Sequence, residues 1–285
     1  MVNWARNWLV VAALVAAATA AENKLEPNAI LRFEFPELPP TLMGMLSNQP
    51  APAAMTVQLP ENYSRTNEFG LVVFLAGGNG GCGTSVEPAR GISGPRDYVC
   101  VNLPLFKRAL DKQEKFGGGL VAMDDFATIS QAYRTMLGKL FEAVPNIKPG
   151  RSALGGFSNG GHTTGVLLAG KDEFILEHFR SFFFIDGGFG LLAANTLQRT
   201  ALKQCRFLLL CGDKPDGNAI RAAQLQLTRA LGLMGKAANV DVTTVIMRGF
   251  EHKFPDAYRP VIGRWLKGEK LSEAEQVNIP SAAAK

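Results

Sequence analysis

The sequence is short of the side chains that build metal and redox centres. Only three histidines and four cysteines occur in 285 residues, and no two cysteines have the C-x-x-C spacing of a zinc or thiol–disulfide site. Lys and Arg outnumber Asp and Glu by 30 to 25. Yet no five basic residues stand together, and aromatics do not interleave with them. A surface of mixed charge accounts for the excess, and no nucleic-acid partner is expected. No internal repeat stands out, which leaves one large domain or two small ones for this length.

The composition is otherwise that of a globular chain, with 47% hydrophobic and 19% charged residues. Gly 30 and Pro 16 are slightly high and point to a turn-rich α/β protein. The N-terminus has a basic start at Arg6, an apolar run from Trp8 to Ala18, and small residues in an A-x-A pattern, Ala18-Thr19-Ala20. The apolar run falls short of the ~20 residues of a membrane span. Residues 1–20 therefore read as a signal peptide cleaved after Ala20. The expected protein is secreted or periplasmic, with no stable membrane insertion after cleavage. Cys82, Cys100, Cys205 and Cys211 would then meet an oxidising compartment. Cys205 and Cys211 bracket RFLLL, and as a strand this segment holds them too far apart to bridge. A Cys82–Cys100 pair stays open.

Residues 21–54 are Pro-rich and are expected to be an irregular extension. From Met55 to Gly268 strand-like and helix-like segments alternate. GLVVFLAGG, RSALGGFS, RSFFFIDGG and CRFLLLCG are short apolar runs closed by turn residues, as in strands buried on both faces. DDFATISQAYRTMLGKLFEAV and NAIRAAQLQLTRALGLMGKAAN carry helical periodicity. The expected fold class is α/β, with a mainly parallel central sheet between two helical layers. Phe106–Met123, with three consecutive glycines, fits no element and reads as a flap or a plain surface loop. Residues 269–285 form a polar tail, expected to be loosely ordered.

In a parallel α/β sheet, sites form at the carboxyl ends of the strands. Ser158 follows one strand, Asp186 the next, Asp213 and Asp216 the one after, and His252 the last. The serine stands in Gly156-Phe157-Ser158-Asn159-Gly160, a G-x-S-x-G pattern. A strand turning sharply into a helix brings backbone so close that the outer residues must be small, and it lifts the serine oxygen clear of the sheet. Ser158 is therefore the candidate nucleophile. A serine nucleophile needs a base, most often histidine. His162 would ride one helical turn beyond the elbow, and His178 precedes a strand, so it belongs at the opposite rim. His252 is left as the candidate base. The acid that orients its ring is open among Asp186, Asp213 and Asp216.

GGFSNGG, VQLPENY before LVVFLAGGNGG, LLLCGDKPDGN, and GFEHKFP before a final helix occur in order over residues 55–268. With these motifs the chain resembles the α/β-hydrolase superfamily, and within it secreted esterases of the polyhydroxybutyrate depolymerase, feruloyl esterase and esterase D group. The resemblance implies the α/β-hydrolase fold, a Ser–Asp–His triad, no cofactor or metal, and an ester carried by a small molecule or a polymer. Two departures matter. Where relatives often have His-Gly-Gly after the third strand, this chain has Ala76-Gly77-Gly78; Gly78 is the expected oxyanion donor beside Asn159, with Asn79 in reserve. Where relatives often have Gly-x-x-Asp, Pro215 follows Lys214. One inserted residue restores Asp216 as the favoured acid, with Asp213 in reserve. The expected activity is carboxylic-ester hydrolysis through an acyl-enzyme. A peptidase, an acyltransferase, or a non-catalytic binding protein on this fold are the alternatives.

Overall fold

The computed structural model describes residues 24–38, 52–78, 85–108, 119–192, 197, 199–214 and 219–272. Eight strands form one sheet in the order β1-β2-β4-β3-β5-β6-β7-β8. They are β1 (Ile30–Phe35), β2 (Ala53–Gln58), β3 (Gly70–Leu75), β4 (Tyr98–Asn102), β5 (Ala153–Phe157), β6 (Ser181–Ile185), β7 (Arg206–Gly212) and β8 (Asp241–Met247). The pairings β1–β2 and β2–β4 are antiparallel, and the rest are parallel.

The apolar runs form strands because each buries both faces. β3 is buried at every residue. Its Leu71, Val73 and Leu75 enter one core, while Val72 and Phe74 enter the other. Phe182 and Phe184 of β6 divide from Phe183 and Ile185 in the same way. Such strands lose the polar alternation of a half-exposed sheet.

Helices α1 (Glu87–Ser93), α2 (Phe126–Ala143), α3 (Asn159–Ala169), α4 (Glu173–His178), α5 (Ala219–Ala238) and α6 (Arg259–Leu266) connect and close the sheet. α2 covers one face with Ile129, Tyr133, Met136, Leu137 and Leu140, joined there by Val166 of α3 and Leu231 of α5. Ala89 and Ile92 of α1 and Val261, Ile262 and Trp265 of α6 cover the other. The result is the expected three-layer α/β/α arrangement. Pro260 lies in the first turn of α6, where the missing N–H has no intrahelical role. Among the described residues, no helix is long and apolar enough to cross a membrane.

The edges of this unit differ from expectation. Ile30–Phe35 is a strand rather than irregular chain, paired along its length with β2. Leu31, Phe33 and Phe35 face the core and Ile30, Arg32 and Glu34 do not; Pro27 and Pro36 flank the strand without interrupting it. At the other end, Leu271 of the expected polar tail is buried in the second core. Residues 1–20, and the tail from residue 273 on, lie outside the described residues. Cys205 and Cys211 stand at either end of β7 and do not bridge each other. Cys100 is a buried free thiol 3.2 Å from the Ser93 hydroxyl, and burial pushes its pKa up to about 11. Cys82 lies outside the described residues.

Candidate active site

β5 ends at Phe157 and α3 begins at Asn159, so Ser158 alone makes the turn. Its φ of 54° and ψ of −115° lie in a region that side chains other than glycine rarely adopt. Two bonds hold it there. The Ser158 N–H donates to the Ile185 carbonyl of β6 at 2.8 Å, and the Ser158 carbonyl accepts from the His162 N–H at 3.0 Å. The flanking glycines are a steric requirement. A Cβ at Gly156 or at Gly160 would collide with the Leu75 carbonyl at the end of β3. The backbone of the neighbouring strand leaves no room for a side chain at either position.

His252 arrives on the loop after β8. Its Nε2 lies 2.7 Å from Ser158 Oγ, across 94 residues of sequence. Three contacts stitch this loop to the end of β7. The Gly249 N–H donates to Asp213 Oδ1 at 2.7 Å. The Lys214 N–H donates to the Phe250 carbonyl at 3.0 Å. Lys214 Nζ pairs with Glu251 at 2.9 Å. The His252 ring also packs on Phe157, the residue before the serine, with centroids 4.9 Å apart.

The three candidate acids occupy different situations. Asp186 is buried at the end of β6, with φ at 50°. Its Oδ1 accepts the Gly212 N–H at 3.0 Å, and its Oδ2 lies 3.8 Å from His252 Nδ1. That separation is within ion-pair range and beyond a hydrogen bond. Asp213 gives its carboxylate to the Gly249 N–H, and so to the loop that carries His252. Asp216 lies outside the described residues.

The segment after β3 passes directly over the serine. A Cβ at Gly77 would come within 3.1 Å of Ser158 Cβ. Gly78 follows with φ at 84°, and its carbonyl accepts from the Asn159 side-chain amide. Asn159 is the first residue of α3, so its N–H has no acceptor within the helix. Asn159 directly follows the serine, and Gly78 is tied to Asn159 through its carbonyl. Asn79 lies outside the described residues.

The other two histidines make their contacts elsewhere in the fold. His162 Nε2–H donates to the Val121 carbonyl at 2.8 Å, and burial lowers its pKa against the pull of that bond. His178 is packed between Phe141 and Phe174, with centroids 4.5 and 4.3 Å away. It closes α4 just before β6, at the opposite rim. In the Phe106–Met123 segment, residues 109–118 lie outside the described residues. Its flanks are anchored: Phe106 packs on Tyr133, and the Arg108 N–H donates to the Gly119 carbonyl at 3.1 Å. The brace by Phe157 and the loop contacts of Asp213 are absent from the sequence reading. The x of G-x-S-x-G carries no visible requirement, and Asp213 shares its loop with another aspartate. Among the described residues, no group of three or more metal-binding side chains occurs.

No family model matches the chain, and no curated protein matches it. Solved structures do resemble it. A ferulic acid esterase is 11% identical at a TM-score of 0.53, covering 85% of this chain and 95% of its own. A protein named FAE is 14% identical at a TM-score of 0.50, covering 82% and 87%. A protein from Bacteroides ovatus ATCC 8483, assigned as a dipeptidyl aminopeptidase IV, is 13% identical at a TM-score of 0.54 over 85% of this chain. The likeness spans only 36% of that longer chain. The strand order, the helices on both faces and these likenesses show that the chain has the α/β-hydrolase fold.

Proposed function

We propose that the chain is a serine hydrolase that cleaves carboxylic esters through an acyl-enzyme. The observation that carries this reading is the 2.7 Å contact between His252 Nε2 and Ser158 Oγ, made on a strained turn. Ser158 Oγ attacks the ester carbonyl carbon while its proton passes to His252 Nε2. The N–H groups of Asn159 and Gly78, with Asn79 in reserve, hold the oxyanion; each such donor contributes about 3 kcal/mol in comparable sites. The protonated His252 then gives its proton to the leaving alkoxide. Water, deprotonated by the same nitrogen, attacks the acyl-enzyme and releases the acid.

Asp216 is the proposed acid behind His252, with Asp186 contributing its charge from 3.8 Å. Asp213 acts on the loop that carries the base. No cofactor is needed for these steps. The basic start, apolar run and A-x-A pattern of residues 1–20 support export of the enzyme.

The test is hydrolysis of a short-chain nitrophenyl ester by the wild type, Ser158→Ala and His252→Ala. Activity collapses in both variants; undiminished activity in either contradicts the mechanism. The matching nitroanilides, run in parallel, separate an esterase from a peptidase. Addition of an alcohol acceptor reveals an acyltransferase.

A further inference from the structure

The rim opposite Ser158 carries a second concave feature. A cavity of about 580 Å³ opens there, within the size range of small-molecule sites. Tyr98, Ser181 and Arg206, the first residues of β4, β6 and β7, line it. Arg151, Arg180 and Lys267 also stand in its wall. β5 separates this rim from the serine by five residues, roughly 17 Å at a rise of about 3.3 Å each. The cavity is therefore distinct from the candidate active site.

Its charge is one-sided. Four cations face one acid in the lining, Asp97. Two cations also hold the wall. Arg206 pairs with Asp241 at 3.2 Å, donates to the Trp265 carbonyl at 2.7 Å, and lies over the Trp265 ring. Arg180 donates to the carbonyls of Leu176 and Phe179 and makes no ion pair among the described residues. The side chains of Arg151 and Lys267 make no hydrogen bond or salt bridge to a described residue.

Tyr98 supplies an independent observation. The residue is 5% exposed, with its ring in the second core. Tyr98 lines the cavity, and its hydroxyl, which is not among the buried polar atoms, has no hydrogen-bond partner among the described residues and is free to donate to a ligand. Burial raises the phenol pKa against the opposing charge of Arg151, so at neutral pH the group is an O–H donor.

We propose that this cavity binds a small organic molecule through a dianionic phosphoryl group. Several oxygens on one centre accept from guanidinium forks, an ammonium and a phenol together. A lone carboxylate has too few oxygens and too little charge for that set. The volume exceeds that of the bare oxyanion and leaves room for an organic remainder. The proposal stands apart from the esterase reading, since no residue is shared.

Calorimetric titration of the whole protein at constant ionic strength tests it, with phenyl phosphate, phenyl sulfate, inorganic phosphate and phenol as probes. Tyr98→Phe, Arg151→Gln and Lys267→Gln are the informative variants, because none of these groups holds the wall through a side-chain hydrogen bond. Circular dichroism verifies their folding. Saturable binding of phenyl phosphate is expected, with weaker binding of the monoanionic phenyl sulfate and none of phenol. Tyr98→Phe and Arg151→Gln each weaken it at least about tenfold, and Lys267→Gln weakens it less. Ester hydrolysis is unchanged in all three. No saturable binding, binding of phenol, or full affinity in both Tyr98→Phe and Arg151→Gln overturns the site. Equal affinity for inorganic phosphate overturns the organic ligand.

Discussion

Phe157 and His252 pack ring against ring, with centroids 4.9 Å apart and planes inclined by 33°. The strand that delivers the serine thus also braces the proposed base. His252 needs such a brace because it sits on a loop and its side chain is 41% exposed.

Loss of the brace has a kinetic signature. A shift of about 1 Å in a catalytic group costs up to ~100-fold in rate. Phe157→Ala is expected to lower kcat by about tenfold or more with KM little changed, and Phe157→Leu to lower it less. Steady-state ester hydrolysis, with circular dichroism to verify folding, checks both. An unchanged kcat in Phe157→Ala contradicts the bracing role.

The carboxylates separate by asparagine substitution. An amide cannot hold the imidazole in the working tautomer, and such a change costs ~10,000-fold in a comparable triad. Asp216→Asn is expected to lower kcat by about that order. Asp186→Asn is expected to cost about tenfold, because Asp186 lies beyond hydrogen-bond distance of Nδ1. Asp213→Asn is expected to be near wild type, because an amide oxygen still accepts the Gly249 N–H. The reverse ranking, with Asp186→Asn the most damaged, makes Asp186 the acid.

His162 ties stability to pH. Burial lowers its folded pKa below 6.5, so the unfolded chain binds the proton first on acidification. Its contribution is fully present above about pH 6.5 and is lost as pH falls from there through the folded value. Urea unfolding at a series of pH values is expected to show this loss in the wild type, and a flatter profile in His162→Gln. Parallel profiles for the two proteins contradict the assignment.

Much of this was legible before the fold. β3, β5, β6 and β7 announce themselves because burial on both faces leaves continuous apolar runs. The serine was legible because the steric demand of its turn is written into Gly156 and Gly160. His252 followed from a short supply of histidines. β1 was obscured by Pro27 and Pro36, although ILRFEF alternates as a strand should. α1 escaped notice because seven residues containing Pro88 and Gly91 are too few to establish a helical period. The acid was not legible in principle. Which of three aspartates reaches a ring nitrogen depends on the paths of two loops, and local sequence does not encode those paths.

The central claim is that Ser158 is an activated nucleophile. Treatment of the folded protein with a fluorophosphonate, followed by peptide mass spectrometry, tests it most directly. The account predicts one stoichiometric adduct on the peptide carrying Ser158, formed far more slowly in His252→Ala and absent from Ser158→Ala. A wild-type protein that remains unlabelled, or an adduct that persists in Ser158→Ala, would contradict it.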